Sequence, residues 1–178
     1  MEIKDIISWS KDYFLSWSDF QAEPNSAAYE DSSSNIKYHH TWTVDSEMID
    51  GQIFYFINDI NLTTQFLKHL SWVRDQHATQ QLLKHEQGHF DLAESLIPEI
   101  IQSMKEKFQG KRFPTRGQND EQRKQFAKGN SGLLIANELE NWFHKLHQKR
   151  EQYDKETNFG NNLDAQKLYN EKFAQLRN

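Results

Sequence analysis

The residues best suited to chemistry in this chain are His85, Glu86 and His89, in the run His85-Glu86-Gln87-Gly88-His89. On a helix, two histidines four apart stand on the same face, one above the other, so their ring nitrogens reach one metal ion. Zinc suits two imidazoles and accepts a tetrahedral site. Glu86 lies one residue past the first histidine, about 100° around the helix. That offset is awkward for a ligand but suits a hydrogen bond to a metal-bound water. Zinc lowers the pKa of such a water towards about 7, and the glutamate takes its proton during attack on a carbonyl.

The surrounding pattern supports this reading. Leu82, His85, His89, Leu92, Leu96, Ile100 and Met104 recur in steps of three and four, which makes them one apolar stripe of a helix. The two histidines therefore face the interior, where polar groups cost free energy unless something satisfies them, as a metal would. Gly88 is out of place in a helix interior, at a cost of about 1 kcal/mol relative to alanine. Its reading is close approach of an edge strand or a substrate. A catalytic zinc needs a third protein ligand and one open position. The candidates are Asp91, Glu94, Glu138, Glu140, His144, His147, Asp154 and Glu156. Asp91 and Glu94 would need a break in the helix to turn back. A second long helix is the better source, although His144 and His147 sit beside Lys145 and Lys149 on a charged face.

These residues must be positioned by the rest of the chain. Ile3, Ile6, Ile7 and Trp9 predict a short helix or strand. Ile36, Tyr38, His40, Trp42 and Val44 alternate with polar residues, Asp50-Gly51 is a turn signal, and Gln52 to Asn58 is apolar on both faces, so residues 35–60 predict a β-hairpin. Residues 62–109 read as helical, with Pro98 kinking the helix or dividing it. Residues 110–132 are polar and punctuated by glycine, which predicts a flexible loop. Residues 133–156 predict a second long helix and 163–176 a final amphipathic one.

Composition sets the outer limits. The chain has 178 residues, no cysteine and a formal net charge of -5. Thiolate chemistry and disulfides are excluded, and nucleic acid is not an expected partner, since phosphate neutralisation needs a basic face. Mean hydropathy is -0.92, and no apolar run approaches the roughly 20 residues of a membrane span. The charged N-terminus, with Glu2, Lys4, Asp5, Lys11 and Asp12, has no signal-peptide pattern. As written, the chain is expected in the cytoplasm.

Three blocks resemble the bacterial zinc-dependent protease family called domain of unknown function 922. The first is Leu15-Ser16-Trp17-Ser18-Asp19-Phe20 with Ala27, Ala28, Ile36 and Tyr38. The second is Ser71-Trp72-Val73 followed by Leu82 to Glu94. The third is Tyr153-Asp154-Lys155-Glu156-Thr157-Asn158-Phe159-Gly160, with Gln166 beyond. The resemblance implies a zincin-type peptidase with a peptide or protein substrate. It implies Asp154 as third zinc ligand and Tyr153 as the group that stabilises the oxyanion. The family pattern there is Tyr-Asp-x-x-Thr-x-His-Gly, and this chain departs from it with Phe159 in place of the histidine. Family members are often described as secreted, so the resemblance also implies a secreted or periplasmic location.

The expected architecture is α+β: a single zincin-like domain over 1–178, with a small, mainly antiparallel sheet packed on the His85–His89 helix and further C-terminal helices. The expected function is a zinc metallopeptidase with Glu86 as general base. The alternatives are an inactive zincin-like binding module and a metal hydrolase acting on a non-peptide amide or ester.

Overall fold

The alternation before Asp50 and the turn dipeptide produce a long hairpin in the computed structural model, which describes residues 5–178. Asp50 and Gly51 both adopt positive φ, 50° and 79°. This is the type I′ requirement for a two-residue turn whose twist matches its strands. The strands in chain order are β1 (Ile6–Ser8), β2 (Ser32–Ser33), β3 (Ile36–Ile49), β4 (Gln52–Leu67), β5 (Trp72–Val73) and β6 (Phe113–Pro114). The helices are α1 (Gln80–Ser95), α2 (Ile97–Phe108), α3 (Asp120–Thr157) and α4 (Leu163–Ala174). One sheet has the order β1-β4-β3, with β6 also pairing with β4, and β2 and β5 form a separate two-stranded ribbon. The fold is thus α+β with a small antiparallel sheet and C-terminal helices. Of the short helix or strand expected at the N-terminus, Ile6 and Ile7 form a strand, and Ile3 lies outside the described residues. No helix of the described residues is long and apolar enough to cross a membrane.

The contacts divide the chain into two compact units. The first comprises the residues up to His39, Thr63–Ile97 and Lys145–Asn178; the second comprises His40–Leu62 and Pro98–His144. In the first unit β1 pairs antiparallel with the end of β4, Ile7 opposite Phe66, and β2 pairs with β5, Ser33 opposite Trp72. Helix α1 packs on α4 and β2. Phe20, Phe66 and Phe90 form a chain of tilted and edge-on rings through the core, and Tyr38 Oη donates to the Ala93 carbonyl. In the second unit Tyr55, Ile57, Ile100, Met104, Phe108, Ile135, Leu139 and Trp142 are buried.

Two expectations are corrected. The helical reading from 62 onward gives way to strand as far as Leu67. Asp59 has a φ of 51°, and along β4 the buried residues switch from Tyr55 and Ile57 to Thr64 and Phe66. This change of buried face within one strand hides the alternation from a period-two count. Of the loop expected over 110–132 only the residues before Asp120 lie outside helix, and they include β6, since α3 begins at Asp120. Asn119 caps the helix by accepting from the Gln122 backbone at 2.9 Å. Gly132 lies in that helix because the Trp42 ring packs against it, 3.2 Å from where a Cβ would stand. Trp42 also donates to Ser131 and lies under the Lys128 ammonium. This packing outweighs the poor helix propensity of glycine.

Candidate metal centre

Helix α1 starts from Thr79, whose side chain accepts from the Leu82 backbone. It carries His85 and His89 on its buried face, as the apolar stripe requires. Helix α3 brings up the partner. Arg150, Tyr153, Asp154 and Thr157 share one face of α3 by three- and four-residue steps. Asp154 Oδ1 lies 2.9 Å from His85 Nε2 and 2.8 Å from His89 Nε2. The three residues form the one cluster of potential metal ligands found among the described residues, with ligand atoms within 4.8 Å of one another.

The hydrogen bonds behind this cluster test whether it fits a metal. Gln166 Nε2 donates to Tyr153 Oη at 2.8 Å and to Asn170 Oδ1 at 2.9 Å. That fixes its amide orientation and turns Oε1 towards His85 Nδ1, 3.0 Å away. His85 therefore carries its proton on Nδ1 and presents the Nε2 lone pair to Asp154. Two acceptors at 2.9 Å need a cation between them, either a proton or a metal ion. On the other ring, Arg150 Nε donates to His89 Nδ1 at 3.0 Å. His89 then carries its proton on Nε2, facing Asp154; to hold a metal ion through that nitrogen the ring would have to move the proton to Nδ1, and the Arg150 N–H would have to turn away. Burial, and then the Arg150 charge, pull His89 below the ordinary histidine range, so the ring is held neutral. Burial pushes Asp154 up, but the two imidazoles outweigh it and hold the carboxyl well below the usual carboxylate range. With that change of tautomer at His89, two imidazole nitrogens and an ionised carboxylate, with no thiolate, are a donor set that fits zinc.

Glu86 is 3% exposed. Ser32 Oγ donates to its Oε1 at 2.5 Å, and Ser34 Oγ donates to its Oε2. Both oxygens are thereby held against the segment that contains β2. Arg150 Nη2 donates to the Ser34 carbonyl at 2.8 Å, so the same segment is tied to α3. Glu86, His85, His89, Asp154, Arg150, Ser32 and Ser34 all line one cleft of about 960 Å³.

Two sequence readings change here. Tyr153, read as an oxyanion stabiliser, is fully buried. Its ring stacks on His85 at 4.6 Å between centroids and 8° between planes, and its hydroxyl donates to the His85 carbonyl. Burial pushes this phenol far up. It stands behind the histidine, where it positions the ring. Gly88 does meet a close approach, but the neighbour is neither a strand nor a substrate. A Cβ there would stand 2.0 Å from Tyr153 Oη.

The remaining ligand candidates lie outside the cluster. Asp91 accepts from Trp9, Gln87 and Arg177. Glu94 accepts from Thr64, and Glu138 from Ser103, Lys107 and Trp142. Glu140, His144 and Glu156 are exposed, as is His147, which pairs with Glu151. Ser32, Ser34 and Arg150 were not singled out by type or motif. For Arg150 a signal existed in its position four residues before Asp154 on one helical face. The two serines carry none, since only the fold brings them to Glu86.

After Thr157 the chain turns through three consecutive residues at positive φ: Asn158 at 46°, Phe159 at 53° and Gly160 at 85°. Gly160 abuts the first histidine, so that a Cβ would stand 2.9 Å from His85 Cβ. Its carbonyl accepts from Gln81. Phe159 N donates to the Asp154 carbonyl at 3.0 Å.

No protein family, no curated protein and no solved structure matches this chain when it is compared with them.

Proposed function

We propose that this chain is a zincin-like metallopeptidase, of the kind its resemblance to domain of unknown function 922 implies, holding one zinc ion between His85, His89 and Asp154. The observation that carries this reading is the convergence of two imidazole nitrogens and one carboxylate oxygen at 2.8 and 2.9 Å, beside a buried glutamate in one cleft. When bound, the ion supplies Lewis acidity that brings the pKa of a water towards about 7. Glu86 takes a proton from the attacking water as the water oxygen bonds to the carbonyl carbon. It returns that proton to the leaving amine as the C–N bond breaks. Ser32 and Ser34 fix the direction of the Glu86 carboxylate, so less order has to be gained at the moment of reaction. Arg150, the cation on the cleft wall, balances charge developing on the carbonyl oxygen, the part that Tyr153 is too buried to play. The segment from Ser32 to Asn35 lines the cleft beside Glu86, and an extended peptide lying along it would bind by strand addition.

One observation favours a second reading, a metal-holding recognition module without turnover. Phe159 stands where the family pattern has a histidine, so that position has no side chain to pass a proton.

The test is elemental mass spectrometry of protein purified without chelators, followed by turnover of a fluorogenic peptide library. About one zinc per chain is expected. Glu86→Gln is expected to keep the zinc and lose turnover by about 10²-fold or more. Zinc without turnover in the natural chain selects the recognition module. Cleavage of small amides or esters but not peptides selects the non-peptide hydrolase. Protein that neither contains nor takes up zinc defeats the metal-based readings.

A further inference from the structure

The turn after α3 ends a helix with more left-handed residues than termination needs. Asparagine and glycine are the residues that tolerate positive φ at a helix end, and Asn158 and Gly160 are both present. Phe159 lies between them at 53°, where a bulky side chain is an outlier. Its ring is only half-buried and lines the cleft. Outliers of this kind persist where surrounding structure over-determines them, and they gather at ligand-binding sites.

A second aromatic meets it there. Tyr29 is 84% exposed, lines the same cleft, and touches Phe159 with ring centroids 5.6 Å apart. Its backbone is not loose. Arg74 donates to the carbonyls of Asn25 and Ala28 and to the Asp31 carboxylate. The Arg74 backbone also donates to the Asp31 carbonyl. A firmly held loop thus presents a ring that buries almost nothing within the fold. The pair lies close to the metal cluster: Phe159 N is bonded to the Asp154 carbonyl, and the next residue, Gly160, abuts His85. Much of the remaining cleft lining is polar, with Ser32, Ser34, Asn35, Asp31 and Asn161 among it.

We propose that Tyr29 and Phe159 form an apolar wall that selects substrates with a large apolar or aromatic side chain beside the scissile bond. This rests on the peptidase reading and adds the substrate class. Aromatic surfaces of this kind favour another ring in offset or edge-on contact. The exchange of histidine for Phe159 would then substitute a recognition surface for a proton-carrying group.

The experiment uses the full zinc-loaded chain with an equimolar synthetic peptide library, its cleavage sites read by mass spectrometry. Cleavages are expected beside Phe, Tyr, Leu or Met. Tyr29→Ala and Phe159→Ala are each expected to lower the ratio of kcat/KM for a Phe-containing peptide over its Ala counterpart by about tenfold. Leu168→Ser, an exposed change on α4 outside the cleft lining, should leave that ratio alone. Cleavage with no apolar bias, or variants that keep the ratio, would overturn the proposal and leave the peptidase reading standing. The same two peptides are titrated calorimetrically against zinc-loaded Glu86→Gln, so that recognition is read without turnover. Tighter binding of the Phe peptide, lost in Glu86→Gln/Tyr29→Ala, supports the wall even if the natural chain hydrolyses nothing. Equal binding of both peptides overturns it.

Discussion

Gly88 and Gly160 fix the first histidine from two directions, one by admitting the Tyr153 hydroxyl behind α1 and the other by bringing backbone against the ring. Gly88→Ala removes a helix-interior glycine, which alone would gain about 1 kcal/mol. It also drives a methyl to 2.0 Å from a buried phenol oxygen. Overpacking of this severity costs about 3 kcal/mol, so the net expectation is a loss of about 2 kcal/mol, measured by urea unfolding. Gly88→Ala/Tyr153→Phe should recover part of it, because the clashing oxygen is gone. Gln166→Leu deletes the acceptor that keeps the His85 proton on Nδ1. Its zinc affinity, titrated against a chromophoric chelator, is expected to fall about 10- to 100-fold with the fold intact. Unchanged affinity would remove Gln166 from the centre. The sequence made His85, Glu86 and His89 legible because their chemistry lies within five consecutive residues. Ser32 and Ser34 were not legible, because nothing local to a serine reports that a helix fifty residues later will bring it a carboxylate.

At the scale of elements, the hairpin was legible for a local reason: the Asp50-Gly51 dipeptide prescribes its own turn. The start of α3 was not. Between Asp120 and Gly132 the sequence offers two glycines and a polar surface, and the packing of Gly132 on Trp42 comes from a strand some ninety residues away. Backbone amides from about 124 to 131 are therefore expected to show helical protection in hydrogen exchange. Exchange at random-coil rates there would contradict the structure. A buried acid gives the second unit its own pH signature. Burial pushes Glu138 up, but Lys107 and Ser103, joined by Trp142, overcome it and leave its pKa lowered. A depressed folded pKa means that the stabilisation is present above the unfolded value of about 4.3 and is lost as pH falls through the lower folded value. Acid titration of stability in Glu138→Gln should lack that component, so the variant and the natural chain should converge as pH falls below the folded value.

For the whole molecule, the cluster and its cleft belong to the first of the two compact units. A ligand that binds only folded protein stabilises it by mass action, about 2.7 kcal/mol at a hundredfold excess over Kd. Added zinc is therefore expected to slow hydrogen exchange in α1, α4 and the Lys145–Thr157 part of α3, and a chelator should reverse it. Zinc-induced protection confined to residues 98–144 would locate the ion elsewhere. A wedged His85 has one more consequence, for the choice of ion. Its ring lies between the stacked Tyr153 and the backbone of Gly160, and it is 1% exposed, so it has nowhere to retreat. The Asp154 side chain, 24% exposed, does. Ions of different radius would thus be accommodated by the carboxylate, which works as an adjustable jaw against a fixed anvil.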